Sequence, residues 1–156
     1  MPQLEIMVNC GVGPVQLGMT RSAVQAALAD YTNHQLDQTA SATLDYAFGS
    51  SLQIEYDSDG KVQFIGVGFY EDCGCDYYFN DRHIGDYEAA DLFALLSKLD
   101  KTTPEFTRSG HCFTTIGILV SGADTQYDYR GGYQRNVYGE VCVINQRYLD
   151  AVAAIS

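Results

Sequence analysis

Two cysteines one residue apart, Cys73 and Cys75, followed by His83, and the adjacent pair His111-Cys112, are the residues best suited by type to hold zinc or carry thiol chemistry. Their spacing argues against both uses. Zinc ribbons pair their cysteines as CxxC, and on a strand His111 and Cys112 point to opposite faces, so the imidazole does not reach the thiol as a base. A thiol- or zinc-dependent protein built on Cys73, Cys75 and His83 is kept as an alternative. Glu55-x-Asp57-x-Asp59-Gly60 opens like a calcium loop, but its twelfth position is Gly66 where a bidentate Glu is required, and its flanks read as strands. A hairpin turn accounts for it better. Gly11-x-Gly13-Pro14 lacks the third glycine and the following Lys of a phosphate loop and reads as a tight turn. No GxSxG, HExxH or kinase-like set occurs. The expectation is a protein with no catalytic residues, no cofactor and no metal.

The segment Thr125-Gln126-Tyr127-Asp128-Tyr129-Arg130-Gly131-Gly132-Tyr133-Gln134-Arg135 has a different character. Tyr supplies large amphipathic contact area at low entropic cost, Arg makes forked hydrogen bonds, and Gly lets a loop adapt, which together is the composition of a recognition surface. An ordinary long hairpin with its tyrosines lying back on a sheet is an equal reading, and the two are compatible. Tyr127, Tyr129, Arg130 and Tyr133 are therefore candidate partner-binding residues.

Charge adds a second group. The net charge is -11, and residues 1–100 hold 15 Asp or Glu against four Lys or Arg, whereas residues 101–156 hold five of each. Such a field repels nucleic acid and anionic membranes and speeds encounter with a basic partner, although acidity also simply keeps a protein soluble. Asp57, Asp59, Glu71, Asp72, Asp76 and Asp81 are the acidic candidates for pairing with a basic surface.

These residues need a scaffold. A chain of 156 residues that is 46% hydrophobic and carries 12 Tyr and seven Phe buries a core without staples and fits a single domain over 1–156. An odd number of cysteines, five, and an N-terminus without a basic region followed by an apolar stretch predict a cytoplasmic protein in a reducing compartment. Thr20 offers an N-cap to a helix near 21–29 with Val24, Ala27 and Leu28 on one face. Strands are predicted at 44–48, 52–56 and 62–69, with Asp57-Ser58-Asp59-Gly60 turning between the last two, and Tyr77-Tyr78-Phe79 adds a short one. Leu92, Leu95, Leu96 and Leu99 mark the clearest helix, which Pro104 limits. Strands at 112–120 and 137–144 and a helix over 146–155 complete the chain. The order predicts an α+β fold, an antiparallel sheet packed on helices, with helix-plus-strands pseudo-repeats over 11–80 and 81–145.

The stretch Gly11-Val12-Gly13-Pro14-Val15-Gln16-Leu17-Gly18-Met19-Thr20-Arg21-Ser22-Ala23-Val24 resembles the opening "GVGPIKLGMTREEV" of small bacterial immunity-type proteins encoded beside secreted toxins. The strand pair 54–65, the helix 90–100 and Ile116-Gly117-Ile118 are similar to segments that follow in the same order in that family. The Leu-Gly-Met-Thr helix start also resembles small outer-membrane assembly lipoproteins and β-lactamase-inhibitor-like proteins, built on helix-plus-strands repeats. The resemblance implies a protein that occludes the active site of a cognate toxin, with Cys73-Gly74-Cys75 and 125–135 as segments peculiar to this chain. A non-catalytic assembly subunit is the further alternative it leaves.

Overall fold

The computed structural model describes residues 2–31, 38–68 and 73–155. Strand β1 (Gln3–Met7) buries Leu4 and Ile6 while Gln3 and Glu5 face out. That is the period-two pattern of a half-buried strand, present in the sequence but not among the predicted strands. The chain folds back through β2 (Gly11–Val12) and β3 (Val15–Gln16), both antiparallel. Gly11 permits this turn, because a Cβ there would meet the Val15 carbonyl oxygen at 2.1 Å.

Helix α1 (Arg21–Ala29) starts where predicted: the Thr20 hydroxyl accepts from the Ala23 amide at 3.2 Å, and Val24 and Leu28 are buried. Four strands follow, β4 (Gln38–Ser41), β5 (Leu44–Ala47), β6 (Leu52–Tyr56) and β7 (Val62–Val67). The turn joining β6 to β7 is built by Asp57, whose Oδ1 accepts from the amides of Asp59 and Lys61 at 2.9 and 3.1 Å. Strand β8 (Asp76–Phe79) pairs in parallel with β1, and β9 (Arg82–His83) pairs back on it across Asn80-Asp81, both at positive φ. A short 3-10 turn, Ile84–Asp86, leads to α2 (Ala89–Asp100), which ends at Lys101 in the left-handed conformation, before Pro104. Leu92 and Leu96 are buried and Leu95 is half-buried, whereas Leu99 at the end of the stripe is exposed.

The stretch 112–120 is not one strand. It is a hairpin, β10 (Gly110–Phe113) and β11 (Ile118–Ser121), and the reason lies at its turn. Gly117 has φ +64, and a Cβ there would sit 2.6 Å from the Ile144 carbonyl oxygen. The turn is also held by Asp100, a buried carboxylate at the end of α2 that accepts from the amides of Thr115 and Ile116 and from the Thr102 hydroxyl at 2.8, 3.0 and 2.9 Å. After β11 come the short β12 (Tyr127–Asp128) and β13 (Arg135–Asn136), then β14 (Glu140–Ile144), which begins later than the predicted 137, and α3 (Gln146–Ile155).

The main sheet runs β10-β11-β14-β7-β6-β5-β4, antiparallel throughout; β7 and β14 are neighbours at its middle, and each set of strands follows its own helix in sequence. The fold is α+β, as expected from the order of elements. Alternation sorts its faces. On one, Tyr148 and Leu149 of α3 pack on Phe64, Cys142 and Ile144. On the other, Ile65, Val67, Val141 and Val143 join a larger cluster with Val24 and Leu28 of α1, Leu92 and Leu96 of α2, and Leu4, Ile6 and Tyr77 of the smaller sheet. Fully burying side chains of this kind stabilises by about 1.5–3 kcal/mol each, so this cluster is what fixes the surface loops in place.

Candidate functional site

The Tyr-rich segment forms an arm that crosses from β11 to β14. Its two-stranded ladder pairs Tyr127 with Asn136 and Asp128 with Arg135, too little to hold itself. Side chains supply the rest. The Arg135 guanidinium, nearly buried, donates from Nε and Nη2 to the two Asp128 oxygens at 2.7 Å each, a fork that holds the Asp128 carboxyl below the usual carboxylate range. Nη2 also donates to the Gly85 carbonyl at 3.0 Å. At the tip, Gly131 and Gly132 take φ +78 and +86 and turn the chain so that Arg130 reaches the same Gly85 carbonyl and, at 2.6 Å, Asp86. Tyr133 donates its hydroxyl to Glu88 at 2.5 Å, and that carboxylate pushes the phenol above its ordinary value.

Docked along 84–88, the arm turns its aromatic rings outward. Tyr127, Tyr129 and Tyr133 are 54%, 64% and 56% exposed, and the first two meet edge to face with centroids 5.7 Å apart. They do not lie back on the sheet. The segment beneath carries acid and imidazole: Asp76 at the start of β8 lies 3.4 Å from His83 Nε2, His83 Nδ1 accepts from the Gly85 amide at 3.0 Å, and Asp81 is exposed at the tip of the β8–β9 hairpin. Asp76, through His83, and Asp86 and Glu88, through the arm's own side chains, are thus linked to the seat of the arm, with Asp81 at the tip of the adjoining hairpin.

Asp57 and Asp59 lie elsewhere. Their turn sits at the Val62 end of β7, whereas the arm rejoins the sheet at Glu140, beside the Val67 end, a separation of about 20 Å along a six-residue strand. Both acids are also committed within the fold. Arg147 of α3 lies 2.6 Å from Asp59 and 3.4 Å from Asp57, donates to the Ser58 hydroxyl, and holds the Asp59 carboxyl below its usual range. Glu71 and Asp72 lie outside the described residues.

Cys73, Cys75, Cys112 and Cys142 are placed as packing groups. Cys73 and Cys75 are buried, with the Cys73 thiol donating to the Cys75 carbonyl at 3.0 Å, and burial pushes the Cys75 thiol up to about 12. Burial and the neighbouring Glu140 carboxylate raise Cys142 as well. That is the opposite of the lowered value an activated thiolate needs. Among the described residues no group of three or more His, Cys, Asp or Glu is arranged to hold a metal ion. His111 packs between Phe93 and Phe113 while Cys112 faces the α3 side, on opposite faces of β10 as their adjacency requires. The expected result with Ellman's reagent at neutral pH is reaction of the half-buried Cys10 in the native protein, slower reaction of Cys112, whose thiol burial raises, and reaction of Cys73, Cys75 and Cys142 only on unfolding. Fast native labelling of Cys75, read by peptide mass spectrometry, would restore the thiol reading.

Sequence reasoning named the tyrosines and Arg130 but missed Arg135, Gly85, Asp86, Glu88 and the capping role of His83. The residues of 85–88 carry no local pattern that marks them as the seat of a segment more than 40 positions away. The nearest signal was His83 ahead of a Gly-Asp turn, since a side chain with an acceptor there caps the first amides. No family model matches the chain, and no curated protein or solved structure matches it either.

Proposed function

We propose that this protein is an immunity-type protein, which binds a cognate bacterial toxin and neutralises it by occluding its active site. The observation that carries this reading is the arm: three tyrosines more than half exposed, on a loop pinned by Arg130, Arg135 and Tyr133 onto an acid-bearing segment. Folding alone does not require large rings held in water. A preorganised aromatic surface loses little entropy on binding and serves as the anchor of an interface. Asp76 beneath its seat, Asp81 exposed at the tip of the adjoining hairpin, and the net charge of -11 favour a partner with a basic face. The resemblance of residues 11–24 to the opening of immunity-type proteins supports a toxin as that partner.

The test is binding to the product of the neighbouring gene, followed by surface kinetics and by the toxin's own activity. Saturable binding, loss of toxin activity, and an association rate that falls about tenfold or more between low and high salt are expected, because screening acts on encounter. Absence of binding to that product would sink the immunity reading. An association rate indifferent to salt would sink the basic partner.

A further inference from the structure

Gly85 is the point where the arm and the β8–β9 hairpin meet. Its amide donates to His83 Nδ1 at 3.0 Å, and its carbonyl accepts from Arg130 and, at 3.0 Å, from Arg135. The two groups belong to successive peptide units joined at one Cα, and a side chain there would crowd both of the side chains they hold. A Cβ on Gly85 would lie 3.1 Å from His83 Nδ1 and 3.2 Å from an Arg130 nitrogen. For Nδ1 to accept, the imidazole must be neutral with its hydrogen on Nε2, which faces Asp76 Oδ1 at 3.4 Å.

A second proton changes this arrangement. The imidazolium carries N–H on both nitrogens, so Nδ1 would present a donor to the donor of Gly85, and the cap of the 3-10 turn is lost. The surrounding charges take both sides. Asp76 on β8 favours the cation, with the Tyr78 ring edge-to-face against the imidazole at 5.5 Å. Arg130 lies close by on the arm, with Arg135 on the same Gly85 carbonyl, and opposes it; each arginine is already engaged by a carboxylate, Asp86 and Asp128 respectively. Arg82 on β9 is turned to the Tyr87 ring, and Glu88 to Tyr133. Asp76 thus favours the added proton, whereas the Gly85 amide disfavours it on Nδ1 while the ring is in the capping position.

We propose that His83 is a proton-operated latch on the aromatic arm: the neutral imidazole caps Gly85 and keeps the arm's seat in place, and the imidazolium releases it. The sign follows from the bond that is lost. The arm is held while the imidazole is neutral and loosens when the ring takes up a second proton. Any consequence for a partner rests on the function proposed above; the latch does not, and its test needs no partner.

The experiment is an NMR titration of the full chain from pH 8 to pH 5, following the His83 ring, the amides of Gly85 and 127–135, and the order parameters of the arm. In the native protein the Gly85 and arm signals should move with the His83 midpoint, and arm order parameters should drop from about 0.85 to below about 0.6 at the acid end. His83→Asn retains an acceptor oxygen for the Gly85 amide and takes up no proton, so its arm should stay ordered at pH 5. His83→Ala, which has no acceptor, should show a loosened arm already at pH 8. An arm that stays ordered while the native His83 takes up its proton overturns the latch, and so does an acid-induced loosening that persists in His83→Asn.

Discussion

Replacing Arg21 by methionine is expected to lower folding stability by about 3 kcal/mol or more, the cost of leaving a buried charge without its partner. Asp45 is fully buried on β5. Its Oδ2 accepts from Arg21 Nε at 2.9 Å and from the Tyr56 hydroxyl at 2.8 Å, while Oδ1 has no hydrogen-bond partner among the described residues. Arg21 also donates to the Ser41 carbonyl at 2.8 Å and lies over the Tyr56 ring at 4.7 Å, so it ties the start of α1 to β4, β5 and β6 together. Methionine preserves much of the stem's packing and removes the charge. The end of Arg21 is part-exposed, which places the loss toward the lower end of the range for buried pairs. Burial, with the adjacent Asp45 carboxylate, raises the Tyr56 phenol, so the hydroxyl remains a donor throughout the accessible pH range. Urea unfolding checks the loss, and Arg21→Met combined with Asp45→Asn should recover more than half of it, because the unpaired charge is then gone. A loss below about 1 kcal/mol for Arg21→Met would show that water reaches Asp45 and replaces the guanidinium.

Replacing Tyr129 by alanine has the opposite profile: stability within about 0.5 kcal/mol of the native protein, as for exposed side chains, and, on the function proposed above, affinity for the partner down by about 2 kcal/mol, or roughly 30-fold. Its ring is the most exposed of the arm's tyrosines and meets Tyr127 edge to face. If the arm anchors the interface, removing the ring leaves encounter unchanged and shortens the life of the complex, so the effect belongs to the dissociation rate. Asp81→Asn, at the tip of the β8–β9 hairpin, should instead slow association at low salt and leave dissociation nearly as it was. Equal affinities for native protein and Tyr129→Ala would move the interface away from the arm, and a change confined to association would assign the ring to steering rather than contact.

Much of the scaffold is written locally. The Thr20 cap, the leucines at helical spacing in α2, the alternation of β5 to β7 and the Asp57 turn are each decided within a few residues, by side chains bonding nearby amides or by one face meeting the core. The same holds for the character of 125–135: three tyrosines, two glycines and two arginines describe a recognition loop wherever the loop lies. Where local signals failed, two bonds of the chain itself were decided from afar. Residues 112–120 look continuous as a β-branched and aromatic run, yet Asp100, at the end of α2, and the close Ile144 carbonyl select a turn at Gly117.

The class of fold, the acidity and the Tyr-, Gly- and Arg-rich character of one loop are all legible in the order of residues. Which of those residues meet one another was decided only by tertiary structure. Asp57 and Asp59 are as acidic in sequence as Asp76, but Arg147 occupies that pair at one end of β7, while Asp76 lies against His83 beneath the seat of the arm. Likewise Arg135, Asp86 and Glu88 are ordinary surface residues until the loop folds over Gly85 and brings them within hydrogen-bond reach across more than 40 positions. The physical reason is range. Capping, turn chemistry and hydrophobic periodicity act between near neighbours and can be read in order, whereas ion pairs and hydrogen bonds between loops exist only after the buried core has set the distances over which they act.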